Sequence, residues 1–183
     1  MGNIKTIPRI DYNEQNLHDG MTFEVFLTDD TMADNATINF AFKTPASTSK
    51  QIHLTIHWTF KAGGTLDVKE AVTWTAKTGT IFVPINVNRL SSNVSEILGN
   101  ETTTVFTANE VAYNVTTILT TNATTIHSDG MFGTNQSGGE GMRASTELIL
   151  ASETKYVVIA TADGASNACH LSLRWSEELP DIV

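Results

Sequence analysis

Apolar and polar residues alternate with period two along most of this chain, and helical spacing is nearly absent. The clearest run is 52–60, where Ile52, Leu54, Ile56, Trp58 and Phe60 alternate with His53, Thr55, His57 and Thr59. That pattern predicts a strand with one buried and one wetter face. Each large side chain buried there contributes about 1.5–3 kcal/mol before entropy is charged. A one-residue slip would expose the whole apolar set, so the register is fixed. Further strands are expected at 22–27, at 36–42 with Ile38, Phe40 and Phe42 on one face, and at 66–74 after the turn Ala62-Gly63-Gly64-Thr65. Others follow at 80–87, 103–107, 113–119, 124–127, 146–150, 155–161 and 169–175. Pro84 lies inside the run 80–87 and has no N–H for a ladder, which predicts an edge strand or a bulge. The segment 91–98 fits one helical turn. The pair 156–161 and 169–175, joined through Asp163-Gly164, is the best hairpin candidate.

About eight to ten short antiparallel strands without a long helix or a repeat predict an all-β, single-domain antiparallel β-sandwich. A jelly roll suits that number of strands, although pairing order does not follow from alternation. The 183 residues suit one domain, and a chain near this size buries roughly 70% of its unfolded surface. Residues 1–20 carry Ile4, Ile7, Pro8, Ile10 and Tyr12 without periodicity and are expected to form an N-terminal arm. Residues 21–183 are expected to form the sandwich.

Composition narrows the function. Hydrophobic residues make up 40% of the chain and charged ones 17%, which argues against disorder. A net charge of −9 disfavours a nucleic-acid partner, because binding phosphates needs a basic footprint. The acidity is unevenly spread: Lys5 and Arg9 make the start slightly basic, while Glu177, Glu178 and Asp181 make the tail acidic. Cys169 is the lone cysteine, sits in an alternating apolar run, and is expected to be a small core residue. No apolar run approaches the ~18 residues of a membrane helix, and the first nineteen residues lack the apolar centre of a signal peptide. Glycosylation sequons at Asn35, Asn93, Asn100, Asn114, Asn122 and Asn135 are read as a product of Asn- and Thr-rich composition.

The richest candidate for chemistry is the glycine-rich stretch from Asp129 to Gly141, holding Gly130, Gly133, Gly138, Gly139 and Gly141. Met142 and Arg143 follow it, so the lysine and hydroxyl of a nucleotide-binding P-loop are missing. It leads into a strand where a dinucleotide fingerprint would open a helix. His53 and His57 stand about 13 Å apart on a strand, too far to share one metal ion. Asp29, Asp30 and Asp34 lack the glycine and closing glutamate of a calcium loop and are read as a solvated turn. There is no nucleophile elbow. Trp58, Trp74 and Trp175 are in phase with apolar strand residues, which places them in the core and not on a sugar-binding surface. No catalytic residue, metal or cofactor is expected.

Several motifs, in order, carry a likeness: His18-Asp-Gly before strand 22–27, Phe42-Lys-Thr-Pro, Arg89-Leu-Ser-Ser-Asn, the glycine-rich loop 130–141, Glu147-Leu-Ile-Leu, Lys155-Tyr-Val-Val-Ile-Ala-Thr, Ala165-Ser-Asn and Leu171-Ser-Leu-Arg-Trp. Together they cover most of the chain, which resembles the head decoration, or cement, proteins of tailed bacteriophages. The resemblance implies a jelly-roll-like β domain on the capsid exterior, made in the cytoplasm of a host bacterium. It implies binding to the major capsid protein between capsomers, as a homotrimer or, less favoured, a homodimer, with no catalytic residues. Candidate contacts to capsid or neighbouring protomer are Lys5, Arg9 and Tyr12 in the arm and Met131, Phe132 and Arg143 in or beside the glycine-rich loop. Met131, Phe132 and Glu140 make this loop less purely small-residue than the family's. The alternative is a carbohydrate- or receptor-binding sandwich of a phage fibre, since fold alone does not decide.

Overall fold

A computed structural model describes residues 12–46, 50–74, 80–102, 105–116, 118–131, 138–141 and 147–178. One short helix, α1 (Tyr12–His18), precedes the strands β1 (Thr22–Met32), β2 (Thr37–Lys43), β3 (Gln51–Phe60), β4 (Gly63–Glu70), β5 (Thr73–Trp74), β6 (Thr80–Phe82) and β7 (Ile85–Asn86). Then come β8 (Leu98–Thr102), β9 (Val105–Ala108), β10 (Val111–Tyr113), β11 (Ile118–Leu119), β12 (Thr124–Met131), β13 (Gly138–Gly141), β14 (Leu148–Leu150), β15 (Lys155–Asp163) and β16 (Asn167–Glu178).

Two antiparallel sheets pack face to face. One runs β13-β3-β16-β1-β7, with β14 continuing the β13 side of β3; the other runs β12-β4-β15-β2-β10-β6. Stripped to the longer strands, first pairs with last (β1 with β16), β2 with β15, β3 with β13 and β14, and β4 with β12. That nested pairing, closed by β16 on β3 and β15 on β4, is a jelly roll. The strands β5 to β11 are an insertion between β4 and β12; β5 and β11 form a small ribbon of their own.

The alternation read from 52–60 holds. Ile52, Leu54, Ile56, Trp58 and Phe60 are buried, and they meet Phe23, Val25, Leu171, Leu173 and Trp175 from their own sheet and Phe40, Phe42, Leu66, Val68, Tyr156 and Val158 from the facing one. Cys169 is in this core as expected, and burial, with a smaller push from Asp29, raises its thiol to about 12. It is therefore protonated and unreactive at neutral pH.

Four local expectations change. The pair 156–161 and 169–175 is not a hairpin, because β15 and β16 belong to opposite sheets. The connection through Gly164 and Ser166, both with positive φ, crosses the sandwich. Asn167 secures the crossing: its side chain donates to Gly63 O at 2.7 Å and accepts from Ala62 N at 2.9 Å. The single helical turn expected at 91–98 is an irregular loop that runs into β8. Asp29 and Asp30 lie within β1, which continues to Met32 through a bulge, and not in a turn. The run 80–87 is broken around Pro84, with β6 on one sheet edge and β7 on the other. A residue without an N–H is suited to that switch.

Candidate functional site

The end of β16 is the anchor from which the site is built. Glu177 continues the inward phase of Leu171, Leu173 and Trp175, and its side chain is fully buried. Its carboxylate accepts from Glu96 N–H at 3.0 Å, from Trp175 Nε1 at 3.1 Å and from the Ser95 hydroxyl. Lys50 Nζ stands 3.9 Å away and also 3.3 Å from Glu96. Burial pushes the Glu177 carboxyl up; the hydrogen bonds and Lys50 offset this in part. Glu178 points the other way. It accepts from Asn16 Nδ2 at 2.6 Å and from the Ser176 hydroxyl at 3.1 Å, and meets His53 Nε2 at 3.2 Å. His53 Nδ1 lies 3.5 Å from Glu147. Two adjacent glutamates thus fasten α1, the loop before β8, the start of β3 and the segment entering β14.

The helix is a small one. Glu14 in its first turn and His18 in its last suit the helix dipole. It stops at Gly20, whose φ of +69° allows the closing bonds Met21 N to Asn16 O at 2.9 Å and Gly20 N to Leu17 O at 3.2 Å. A side chain at Gly20 would overlap Ser91, so helix end and loop are fitted to each other.

The loop after β7 is held by its own short polar side chains. Asn86 Nδ2 donates to Gly20 O at 2.9 Å and to Asn93 O at 3.0 Å, and Asn86 Oδ1 accepts from Asn88 N at 2.9 Å. Asn88 Nδ2 donates to His18 O at 2.8 Å, while its Oδ1 accepts from Leu90 N at 3.1 Å. Asn93 Nδ2 reaches Asp19 O at 3.1 Å, and Ser91 Oγ accepts from Asn93 N at 3.1 Å. These side-chain bonds take the place of a helical ladder, as Asn and Ser often do.

Held this way, the loop puts apolar groups into water. Leu90 is 98% exposed and Val94 62%. Val83, before β7, is 57% exposed, and Phe26 on β1 is 46% exposed. β7 pairs with β1 as Phe23 to Asn86 and Glu24 to Ile85. The Phe26 ring lies 6.0 Å from that of Phe82 and 6.4 Å from His170. Four of the five large hydrophobics exposed among the described residues therefore belong to β1, the segment before β7 and the loop after it; the fifth, Ile149, is on β14 at the opposite edge of the same sheet.

Of the contacts expected from the sequence, Lys5, Arg9, Phe132 and Arg143 lie outside the described residues. Tyr12 opens α1, but its side chain lies outside them too. Met131 ends β12 and packs against the core. The glycine-rich stretch is strand at both ends: Asp129 to Met131 pair with β4, and β13 pairs with β3 from His57 to Phe60. Of residues 1–20, expected as an arm, 12–20 are the helix and turn fastened to the body by Asn16. Trp58 and Trp175 are in the core as expected, while the Trp74 side chain lies outside the described residues. Among the described residues no group of three or more His, Cys, Asp or Glu is placed to hold a metal ion.

Sequence reasoning missed Glu177 and Glu178 as anchors, though Glu177 keeps the parity of the strand before it. It also missed Phe26, Leu90 and Val94, for which no pattern gave a signal. Comparison with protein-family models, curated proteins and solved structures finds no match to this chain.

Proposed function

We propose that this chain is a structural protein of a phage particle that decorates and stabilises the outer capsid surface. In this reading it binds the major capsid protein between capsomers and has no catalytic role. The observation that carries the reading is the exposure of Phe26 and Val83 on β1 and before β7, and of Leu90 and Val94 on the hydrogen-bonded loop after β7. Exposed apolar side chains on adjoining segments are candidates for a protein-binding surface. The C-terminal end of α1 is pinned beside this loop. The order of motifs resembling tailed-phage decoration proteins gives further support. A weak contact repeated over a symmetric shell gains avidity, so no large interface is needed.

The test is addition of purified protein to expanded heads assembled without it. Co-sedimentation at saturable stoichiometry and a raised melting temperature of the heads are expected. Heads that neither bind the protein nor gain stability would remove the proposal.

A second reading, a glycan-binding module, takes support from one observation: the half-exposed Phe26 ring stacks on His170, which is hydrogen-bonded to Thr28 at 3.0 Å. Glycan-array binding that Phe26→Ala abolishes would favour it.

A further inference from the structure

The chain contains three Asp-Gly pairs, Asp19-Gly20, Asp129-Gly130 and Asp163-Gly164. Such a pair rearranges without help when the glycine nitrogen meets the side-chain carbon of the aspartate, since glycine has no side chain to obstruct the approach. All three aspartates are exposed, so access of water does not separate them. The direction of each glycine N–H does. Gly20 N donates to Leu17 O at 3.2 Å in the closing turn of α1. Gly164 N donates at 2.7 Å to Oδ1 of Asp34, from a distant part of the chain. Both are held by an acceptor other than their own aspartate. Gly130 N instead donates to Oδ1 of the residue before it, Asp129, at 2.8 Å.

That contact sets the nitrogen beside the group it would attack: Cγ, the carbon bearing Oδ1, is one bond further on. The neighbouring Ser128 hydroxyl donates to Asp67 at 2.7 Å and does not compete for the Asp129 carboxyl. The pair also lies where the backbone can yield. β12 is the last strand of its sheet among the described residues and ends one residue after Gly130.

We propose that Asp129-Gly130 is a self-modification site, at which the folded chain converts aspartate to isoaspartate as it ages. The Gly130 nitrogen attacks Cγ of the protonated Asp129 carboxyl. The N–Cγ bond forms, the Cγ–OH bond breaks, and the hydroxyl leaves with the amide proton as water. The product is a five-membered succinimide, which a second water opens. Attack at Cγ restores aspartate; attack at the main-chain carbonyl carbon leaves the backbone running through Cγ and frees the α-carboxylate. Water is the sole co-reactant. The isoaspartate lengthens the backbone of β12 by one carbon, which displaces Gly130 from Thr65 and Met131 from Gly64.

The test is incubation of the purified full chain in water enriched in heavy oxygen, followed by peptide mapping. Heavy oxygen and isoaspartate should accumulate at Asp129 at least about tenfold faster than at Asp19 or Asp163. In denaturant the three N–H groups lose their partners, and the three rates should fall within about threefold of one another. Asp34→Ala frees the Gly164 N–H and should raise the rate at Asp163 severalfold while leaving Asp129 unchanged. Equal rates at the three sites of the folded chain overturn the proposal. So does an order that persists in denaturant, which would belong to the sequence and not the fold, or an Asp163 rate that Asp34→Ala does not move.

Discussion

Two halves of one short segment, 88–94 and 95–97, place their side chains in opposite senses. The inner half ties Ser95 and Glu96 to a carboxylate with no exposure at all, Glu177. The outer half holds a leucine almost wholly in water. Burying a charge is costly unless it is paired and hydrogen-bonded, and Glu177 has both kinds of partner. Its position follows from folding: β16 must end where α1, the loop and β3 converge. Leu90 has no such reason. The contrast separates residues that the fold needs from residues that it merely carries, and the second group is where a partner is to be sought.

The largest expected effect comes from removing the buried anchor. Glu177→Ala leaves the Ser95 hydroxyl, the Glu96 N–H and the Trp175 N–H without their acceptor. The loss of stability should be about 3 kcal/mol, or roughly 6–12 °C in melting temperature for a chain this long. A denaturant titration showing under about 1 kcal/mol would mean that the clasp is incidental. Next comes Gly20→Ala. A methyl there overlaps Ser91, and a φ of +69° suits few other residues. We expect about 2 kcal/mol lost. Loop proteolysis should accelerate in this variant, because helix end and loop would no longer fit; unchanged cleavage and melting would break the link between them.

A smaller, pH-dependent effect isolates the charge itself. Burial raises the Glu177 carboxyl above its ordinary 4.5, with Ser95, Glu96, Trp175 and Lys50 pulling back only in part. The folded chain therefore holds that proton more tightly than the unfolded chain does. The resulting stabilisation is complete below the ordinary value and is lost as pH rises through the raised folded value. Glu177→Gln carries no such proton. Urea titrations stepped across that interval should show the wild type losing stability relative to Glu177→Gln as pH rises; a constant or growing wild-type advantage would contradict the sign.

The sheets were legible in the sequence because alternation reports burial directly. Ile52 to Phe60 and Cys169 to Trp175 need no context to be placed in a core. What pairs with what was not legible, since β15 and β16 show the same alternation whether they share a sheet or face each other. Asp163-Gly164 looked like a hairpin turn, yet the positive φ at Gly164 serves a crossing between sheets equally well. The site was less legible still. Glu177 could have been found by extending the parity of Leu171, Leu173 and Trp175 two residues further. Leu90 and Val94 could not, because the Asn and Ser side chains that shape their loop act on backbone groups around Asp19, distant in sequence.

The smallest expected change in stability is at the outer half of the loop, and there a null result is the informative one. Leu90→Ser and Val94→Ser remove side chains that are mostly in water already, so little transfer free energy is at stake. Each should alter unfolding free energy by no more than about 0.5 kcal/mol. A loss of 1 kcal/mol or more would place these residues with Glu177, as parts that the fold needs, and their exposure would no longer call for a partner. If stability holds while binding to heads falls, the two halves of the segment are separable: one fastens the chain and the other is free to recognise.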